Sequence, residues 1–330
     1  MIWLTFVLSA ALLVAAAVKL ADYGDAIAFR TGLGGMFIGT LLMAGATSLP
    51  ELLTAINSLQ QDVIGLAAGS MLGSNMFNML LLGLLSLAFF RQRVLRRVAI
   101  NHALTGSIAV LLITMVTFFM LARIDLRIGW VGLDSLLIMV AYIVGVWLIR
   151  ASQPLGTAAE AVPVNDDAGI PSLRHALIGF AVATGVLVLA TPSLVRSSAD
   201  IAEVTGLGTG FVGTALVALV TSLPELVAMI AAGRLGAYDL AVGNLFGSNI
   251  FNMFALGLTD LFYLEGNFLS AIAPEFALVG LAGLLLTGLG LIGNLARLER
   301  RLFLVELDAI LLVVGYLLGL YFLFIRGLGL

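Results

Sequence analysis

The stretch GATSLPELLT, residues 45–54, interrupts an otherwise apolar run with two threonines, a serine, a proline and a glutamate. Its core, TSLPEL at 47–52, returns unchanged at 221–226. Both copies sit among residues that a bilayer would accept and water would not. The chain is 61% hydrophobic and only 11% charged, against roughly 25% charged residues in soluble domains. Long apolar runs at Leu104–Ala122, Gly132–Ile149, Leu177–Leu194 and Leu302–Ile325 approach or exceed the ~18–20 residues a helix needs to cross the hydrocarbon core. They do not alternate apolar with polar residues, which excludes a transmembrane β-barrel. The expectation is an all-α polytopic membrane protein.

Gly, Pro and charge clusters divide the chain into ten apolar segments near 2–20, 33–59, 64–90, 98–121, 129–150, 173–194, 207–233, 238–263, 272–294 and 302–325. The first lacks a basic leader and a small-residue cleavage site, so it reads as a retained span rather than a signal peptide. Lys19, Arg30, Arg91, Arg93, Arg96, Arg97, Arg150, Arg174, Arg234, Arg297, Arg300 and Arg301 fall on one side of these spans. Only Arg123, Arg127, Arg196 and Arg326 fall on the other. The positive-inside rule then puts both termini outside. The Ala- and Pro-rich stretch 151–172 reads as a flexible cytoplasmic linker. The chain has no cysteine, which removes disulfides and thiolate metal sites. Fifteen of its sixteen basic residues being arginine hints at a prokaryotic source.

The sequence aligns with itself at one offset of 174 residues. IAFRTGLGGMFIGT at 27 matches IAEVTGLGTGFVGT at 201, and AAGSMLGSNMFNM at 67 matches AVGNLFGSNIFNM at 241. Between residues 39 and 85 nearly half the positions are identical to their partners without a gap. Each repeat holds five spans, an odd number, so consecutive copies must enter the membrane from opposite sides. The expected layout is a first five-helix repeat at 1–150 with its motif at 39–85, the linker at 151–172, and a second repeat at 173–330 with its motif at 213–259. Inverted repeats with broken polar helices at matching positions point to a secondary transporter whose site lies at the midplane.

The repeated residues have a chemistry in common. Pro50 and Pro224 cannot donate to the carbonyls of Ala46 and Val220, and a kink there loosens those of Thr47 and Thr221. Ala44, Thr47, Ser48 and Glu51 share one helical face by i, i+3, i+4, i+7 spacing, and Ala218, Thr221, Ser222 and Glu225 repeat it. In the next span Ser70, Ser74 and Asn78 recur at i, i+4, i+8, mirrored by Asn244, Ser248 and Asn252. Gly69/Gly73 and Gly243/Gly247 form small-residue pairs that let helices approach closely, which would bring Asn78 and Asn252 towards the glutamates. Asn75 and Asn249 are expected to point elsewhere. The resulting oxygen-only set suits Ca²⁺ better than Mg²⁺, and without Cys or His it disfavours Zn²⁺ and Cu²⁺. Two carboxylates neutralise one Ca²⁺, two Na⁺ or two H⁺, which is a physical basis for exchange. Asp134 and Asp308 read as helix-end hydrogen-bonding groups, and His102 and His175 as interfacial.

TSLPEL with GSNMFN in one half, and TSLPEL with GSNIFN in the other, resemble the two alpha-repeats of the calcium/cation antiporter superfamily, most closely its prokaryotic sodium/calcium exchangers with ten helices. The resemblance covers nearly the whole chain. It implies that Glu51 and Glu225 are the principal ligands and that Thr47, Ser48, Thr221 and Ser222 line flanking sodium sites. It further implies that Ser74, Ser248, Asn78 and Asn252 complete the ligand set, with carbonyl oxygens from Ala44 and Ala218. Many relatives carry Asp at the position of Asn252, and Gly where Ala46 and Val220 stand here. The implied activity is Na⁺/Ca²⁺ antiport by alternating access at the plasma (inner) membrane, extruding Ca²⁺. A H⁺/Ca²⁺ or other divalent cation exchanger is the alternative within the superfamily, and a cation channel or a scaffold the alternative outside it. No catalytic residue, cofactor, nucleic acid or obligate protein partner is expected. The partners are the transported cations and lipid.

Overall fold

A computed structural model describes residues 1–31, 43–90, 94, 99–152, 170–295, 301–302 and 305–328. The first part of the expected 33–59 segment, Arg91, Arg93, Arg96, Arg97, Arg297, Arg300 and most of the 151–172 linker lie outside them. The described helices are α1 (Ile2–Thr31), α2 (Leu49–Gln60), α3 (Ile64–Ala88), α4 (Ala99–Ala122), α5 (Leu133–Ala151) and α6 (Leu173–Thr205). They continue with α7 (Thr209–Val212), α8 (Ala218–Thr221), α9 (Leu223–Arg234), α10 (Tyr238–Thr259), α11 (Phe268–Ala271), α12 (Phe276–Leu295) and α13 (Leu307–Ile325). Among the described residues eight helices are long and apolar enough to cross a membrane, and nine if the bent series α7 to α9 counts as one span. This is a mostly helical, multi-pass membrane protein.

Two expected spans are longer than their apolar runs. The first segment was expected to end near residue 20 and the sixth near 194, but α1 runs on to Thr31 and α6 to Thr205. The charged extensions stay helical because α1 and α6 pack along each other, and Gly206, at φ 67°, ends α6 in the left-handed conformation that glycine adopts without strain. At about 1.5 Å per residue, each exceeds the ~30 Å hydrocarbon thickness, so both project beyond it or tilt. The fifth and tenth segments, by contrast, start later than expected. Short hairpins precede them: β1 (Arg127–Ile128) pairs with β2 (Val131–Gly132), and β3 (Arg301–Leu302) with β4 (Val305–Glu306). The two hairpins obey the same 174-residue offset.

Apolar packing falls into two clusters. The larger joins α3, α4, α10, α12 and α13 around Met71, Met76, Leu112, Phe246 and Leu256. The smaller joins α1 and α6 to the broken segments through Leu13, Leu20, Leu187, Val195, Val217 and Val220. Large side chains left uncovered, such as Trp147, Val182, Leu189 and Tyr321, form the belt that faces lipid. At one end of the bundle Asp260 ties loops together, accepting from the backbone N–H of Gly132 at 2.6 Å and of Phe268 at 2.7 Å. Asp134, in the first turn of α5, accepts from the Ser135 N–H at 2.8 Å and from Asn267 Nδ2 at 2.9 Å. Asp308 accepts from the Ala309 N–H at 3.1 Å. Both aspartates therefore do what helix-end carboxylates do.

Candidate cation site

The site begins with a broken helix. Helix resumes after Ser48 and again after Ser222, whose dihedrals (φ −90°, ψ 6° and φ −92°, ψ 8°) lie in the sparsely occupied bridge region. Pro50 and Pro224 follow at the second helical position, where a missing N–H is harmless. In the second copy a π-helical segment at Gly213–Val217 precedes the break, and the pieces on either side of Ser222 are bent by 40°. Such π segments gather at functional sites. Glu51 and Glu225 stand in the first turns of α2 and α9, where the helix dipole favours negative charge.

SLPE spells a capping box, in which the serine would accept from the N–H of the third helical residue. Neither serine caps its own helix. Ser48 Oγ instead donates to Glu225 Oε1 at 3.0 Å, and Ser222 Oγ donates to Glu51 Oε1 at 3.0 Å. Each glutamate takes a second hydroxyl from its own copy: Ser74 Oγ lies 3.3 Å from Glu51 Oε1, and Ser248 Oγ 3.2 Å from Glu225 Oε1. The two carboxylates are thus held in one cluster by reciprocal bonds between the halves of the chain.

Thr47 Oγ1 donates to the Ala44 carbonyl at 3.2 Å, and Thr221 Oγ1 to the Val217 carbonyl at 3.1 Å. Each threonine proton is thereby used, and the hydroxyl lone pairs remain for a cation. The carbonyls of Ala44 and Ala218 also accept from the N–H groups of Ser48 (2.9 Å) and Ser222 (3.0 Å), which leaves them weaker candidate ligands than the hydroxyls.

Asn78 and Asn252 do not hydrogen-bond to the glutamates. Asn78 Nδ2 donates to Asn249 Oδ1 and Asn252 Nδ2 to Asn75 Oδ1, each at 3.0 Å. The expectation that Asn75 and Asn249 point elsewhere is corrected here: both belong to the buried polar layer. An unbroken helix through GSNMFN and GSNIFN puts both asparagines of each motif within reach of the opposite span. Their presence in both copies was the signal.

Ala44, Thr47, Ser48, Glu51, Ser74, Asn78 and their mirrors Ala218, Thr221, Ser222, Glu225, Ser248 and Asn252 are all 0% exposed. Glu51 Oε2, Glu225 Oε2, Asn78 Oδ1 and Asn252 Oδ1 have no hydrogen-bond partner. Among the described residues no basic side chain pairs with either glutamate. Burying carboxylates without a counter-charge is very costly, and no described side chain supplies one to this pair. These four unpartnered buried oxygens, on two carboxyl and two amide groups, are hard donors of the kind that Ca²⁺ takes.

Close helix approach makes the cluster possible. A Cβ on Gly73 would run into the backbone of Thr214, and one on Gly69 would lie 2.6 Å from the Gly210 carbonyl. The small-residue face of α3 therefore lies directly on the π segment and α7. Asn244, mirror of Ser70 and one turn before Ser248, is buried with both amide atoms unpartnered. Of the histidines, His102 is buried with Nε2 3.4 Å from Asp239 Oδ1, and His175 stacks obliquely near Tyr23.

The family model described as sodium/calcium exchanger protein matches residues 1–150 and 175–325. The chain belongs to the sodium/calcium exchanger family. This exchanger-family chain is 31% identical over 250 residues to the inner membrane protein YrbG of Escherichia coli (strain K12), covering 72% of the chain and 73% of that protein. Its fold is similar to that of the sodium-calcium exchanger NCX_Mj, with a TM-score of 0.63 at 22% identity over 97% of this chain and 99% of that one. It is equally similar in fold to the H⁺/Ca²⁺ exchanger CAX, with a TM-score of 0.63 at 14% identity over 99% and 89%. At these identities the two structures speak to fold alone.

Proposed function

We propose that the protein is a secondary antiporter that exchanges Na⁺ for Ca²⁺ by alternating access and extrudes Ca²⁺ across the plasma membrane. In this reading the chain has ten spans in two inverted repeats, 1–150 and 173–330, joined by a cytoplasmic linker at 151–172, with both termini outside. Glu51 and Glu225 are the principal ligands. Thr47, Ser48, Ser74, Asn78 and the Ala44 carbonyl assist from one copy, and Thr221, Ser222, Ser248, Asn252 and the Ala218 carbonyl from the other. The observation that carries the reading is the reciprocal pair of buried carboxylates, each with an unpartnered oxygen and, among the described residues, no basic side chain paired with it.

The charge logic gives the exchange. Two carboxylates balance one Ca²⁺ or two Na⁺, so either ion set crosses the low-dielectric midplane as a neutral assembly. An empty, doubly charged site crosses at a large desolvation cost, and this couples the two fluxes. The four serine hydroxyls hold both carboxylates in register, so an arriving ion meets oxygens already in place.

Protons as the counter-ion form a second reading, favoured by Asn78 and Asn252. Both are neutral, so the −2 site is satisfied by two protons alone. Calcium flux into proteoliposomes under imposed Na⁺ or pH gradients decides between them. Uptake driven by a Na⁺ gradient at constant pH is expected. Uptake driven only by a pH gradient would replace the first reading with the second, and uptake with neither gradient would replace antiport with a channel.

A further inference from the structure

A cavity of about 480 Å³ opens along the seam between α1 and α6, away from the cation site. Its two ends differ in chemistry. Lys19, Tyr23 and His175 line one end, while Leu12, Ala183 and Val186 line the other. We propose that this groove is a binding site for an anionic phospholipid, with one acyl chain lying between α1 and α6 and the phosphate at Lys19, Tyr23 and His175.

Length, charge and position support this occupant. From His175 to Val186 the helix rises about 16 Å, which matches the ~15 Å depth of one leaflet's hydrocarbon. An acyl chain therefore spans the groove while its phosphate reaches the polar end. Volumes of roughly 300–1,000 Å³ are typical of ligand sites. The deep walls include the exposed side chains of Leu12 and Val182, so the groove faces lipid rather than the protein core.

At the polar end Lys19 is the only lysine in the chain. One of its ammonium protons goes to Asp22 at 3.0 Å, and two remain for phosphate oxygens. The Tyr23 hydroxyl and the His175 ring N–H supply further donors, with ring centroids 6.0 Å apart. Gly179 lets the Tyr23 ring lie directly against α6, where a Cβ would collide with it. Arg174, the residue before His175, is exposed. Basic pockets between spans on the cytoplasmic side bind anionic headgroups in this way, and a zwitterionic choline headgroup would set a second positive charge against Lys19.

The proposal is independent of which ions are carried, and native mass spectrometry of detergent-purified protein tests it. Phosphatidylglycerol, phosphatidylcholine and inorganic phosphate serve as probes. Retention of phosphatidylglycerol over phosphatidylcholine is expected, with no retention of inorganic phosphate. Lys19→Gln should weaken phosphatidylglycerol retention about fivefold. Ala15→Phe, which plugs the groove from an exposed position, should weaken retention of both lipids. Lipid-free melting temperature checks each variant's fold, and Val182→Trp plugs the same groove if Ala15→Phe melts early. Equal retention of the two lipids, retention of free phosphate alone, or binding that ignores all of these substitutions overturns the proposal.

Discussion

Glu51 and Glu225 occupy equivalent chemical positions. Each is buried, each receives two serine hydroxyls, and each keeps one oxygen unpartnered. Glu51→Gln and Glu225→Gln should therefore each reduce calcium flux to background while leaving the melting temperature near wild type, because the amide keeps the shape and loses the charge. Full flux from either variant would remove that residue from the site. Ser48→Ala and Ser222→Ala each delete one hydroxyl contact to the other half's glutamate. A hydrogen bond within a membrane bundle contributes about 0.6 kcal/mol on average, up to ~1.7. Each variant should thus lower apparent calcium affinity by about threefold to twentyfold, by similar factors for the pair. Asn252→Asp makes the site −3. One Ca²⁺ then leaves a charge of −1, and calcium should move only with an additional monovalent cation. The measured ion ratio per Ca²⁺ should rise; an unchanged ratio would place Asn252 outside the ion's reach. At this scale the sequence was legible because the candidate ligands are written twice. Glu51 and Glu225 stood out through their identical contexts. The roles of Asn75 and Asn249 did not, because one-dimensional spacing cannot say which residue of an adjacent helix a side chain will meet.

At the scale of the helix, the break at Ser48 and Ser222 and the glycine face of α3 depend on each other. The π segment brings the Thr214 backbone against α3 only because Gly73 offers no Cβ. Gly73→Val would force these elements apart, and overpacking of this kind costs typically 1–3 kcal/mol. The expected result is a lower melting temperature together with lost flux, whereas Glu51→Gln loses flux alone. A Gly73→Val protein that melts and transports normally would show that the close approach is dispensable. Element boundaries were harder to read than element identities. Hydropathy located the membrane-crossing parts of α1 and α6, but their ends are set by contact with each other, which no window along one segment detects. The hairpins before α5 and α13 were likewise hidden, since two-residue strands carry too little pattern to register.

For the whole molecule, the distribution of basic residues predicts which face is cytoplasmic, and the absence of cysteine makes the prediction straightforward to check. A single cysteine at Ala158, in the expected linker, should resist a membrane-impermeant thiol reagent in intact cells and react after lysis. One at Glu265, between α10 and α11, should react in intact cells. The reverse pattern would invert the assigned orientation and move the lipid groove's polar end to the other leaflet.

The exchanged serine–glutamate contacts carry a further consequence. In the proposed site neither half is complete, because Ser222 donates to Glu51 and Ser48 to Glu225. The covalent link through 151–172 contributes no candidate ligand. Expressed as two separate polypeptides, residues 1–152 and 170–330 should each be inert alone and regain calcium exchange when produced together. The smallest transporting unit would then be a heterodimer that a single gene happens to deliver as one chain.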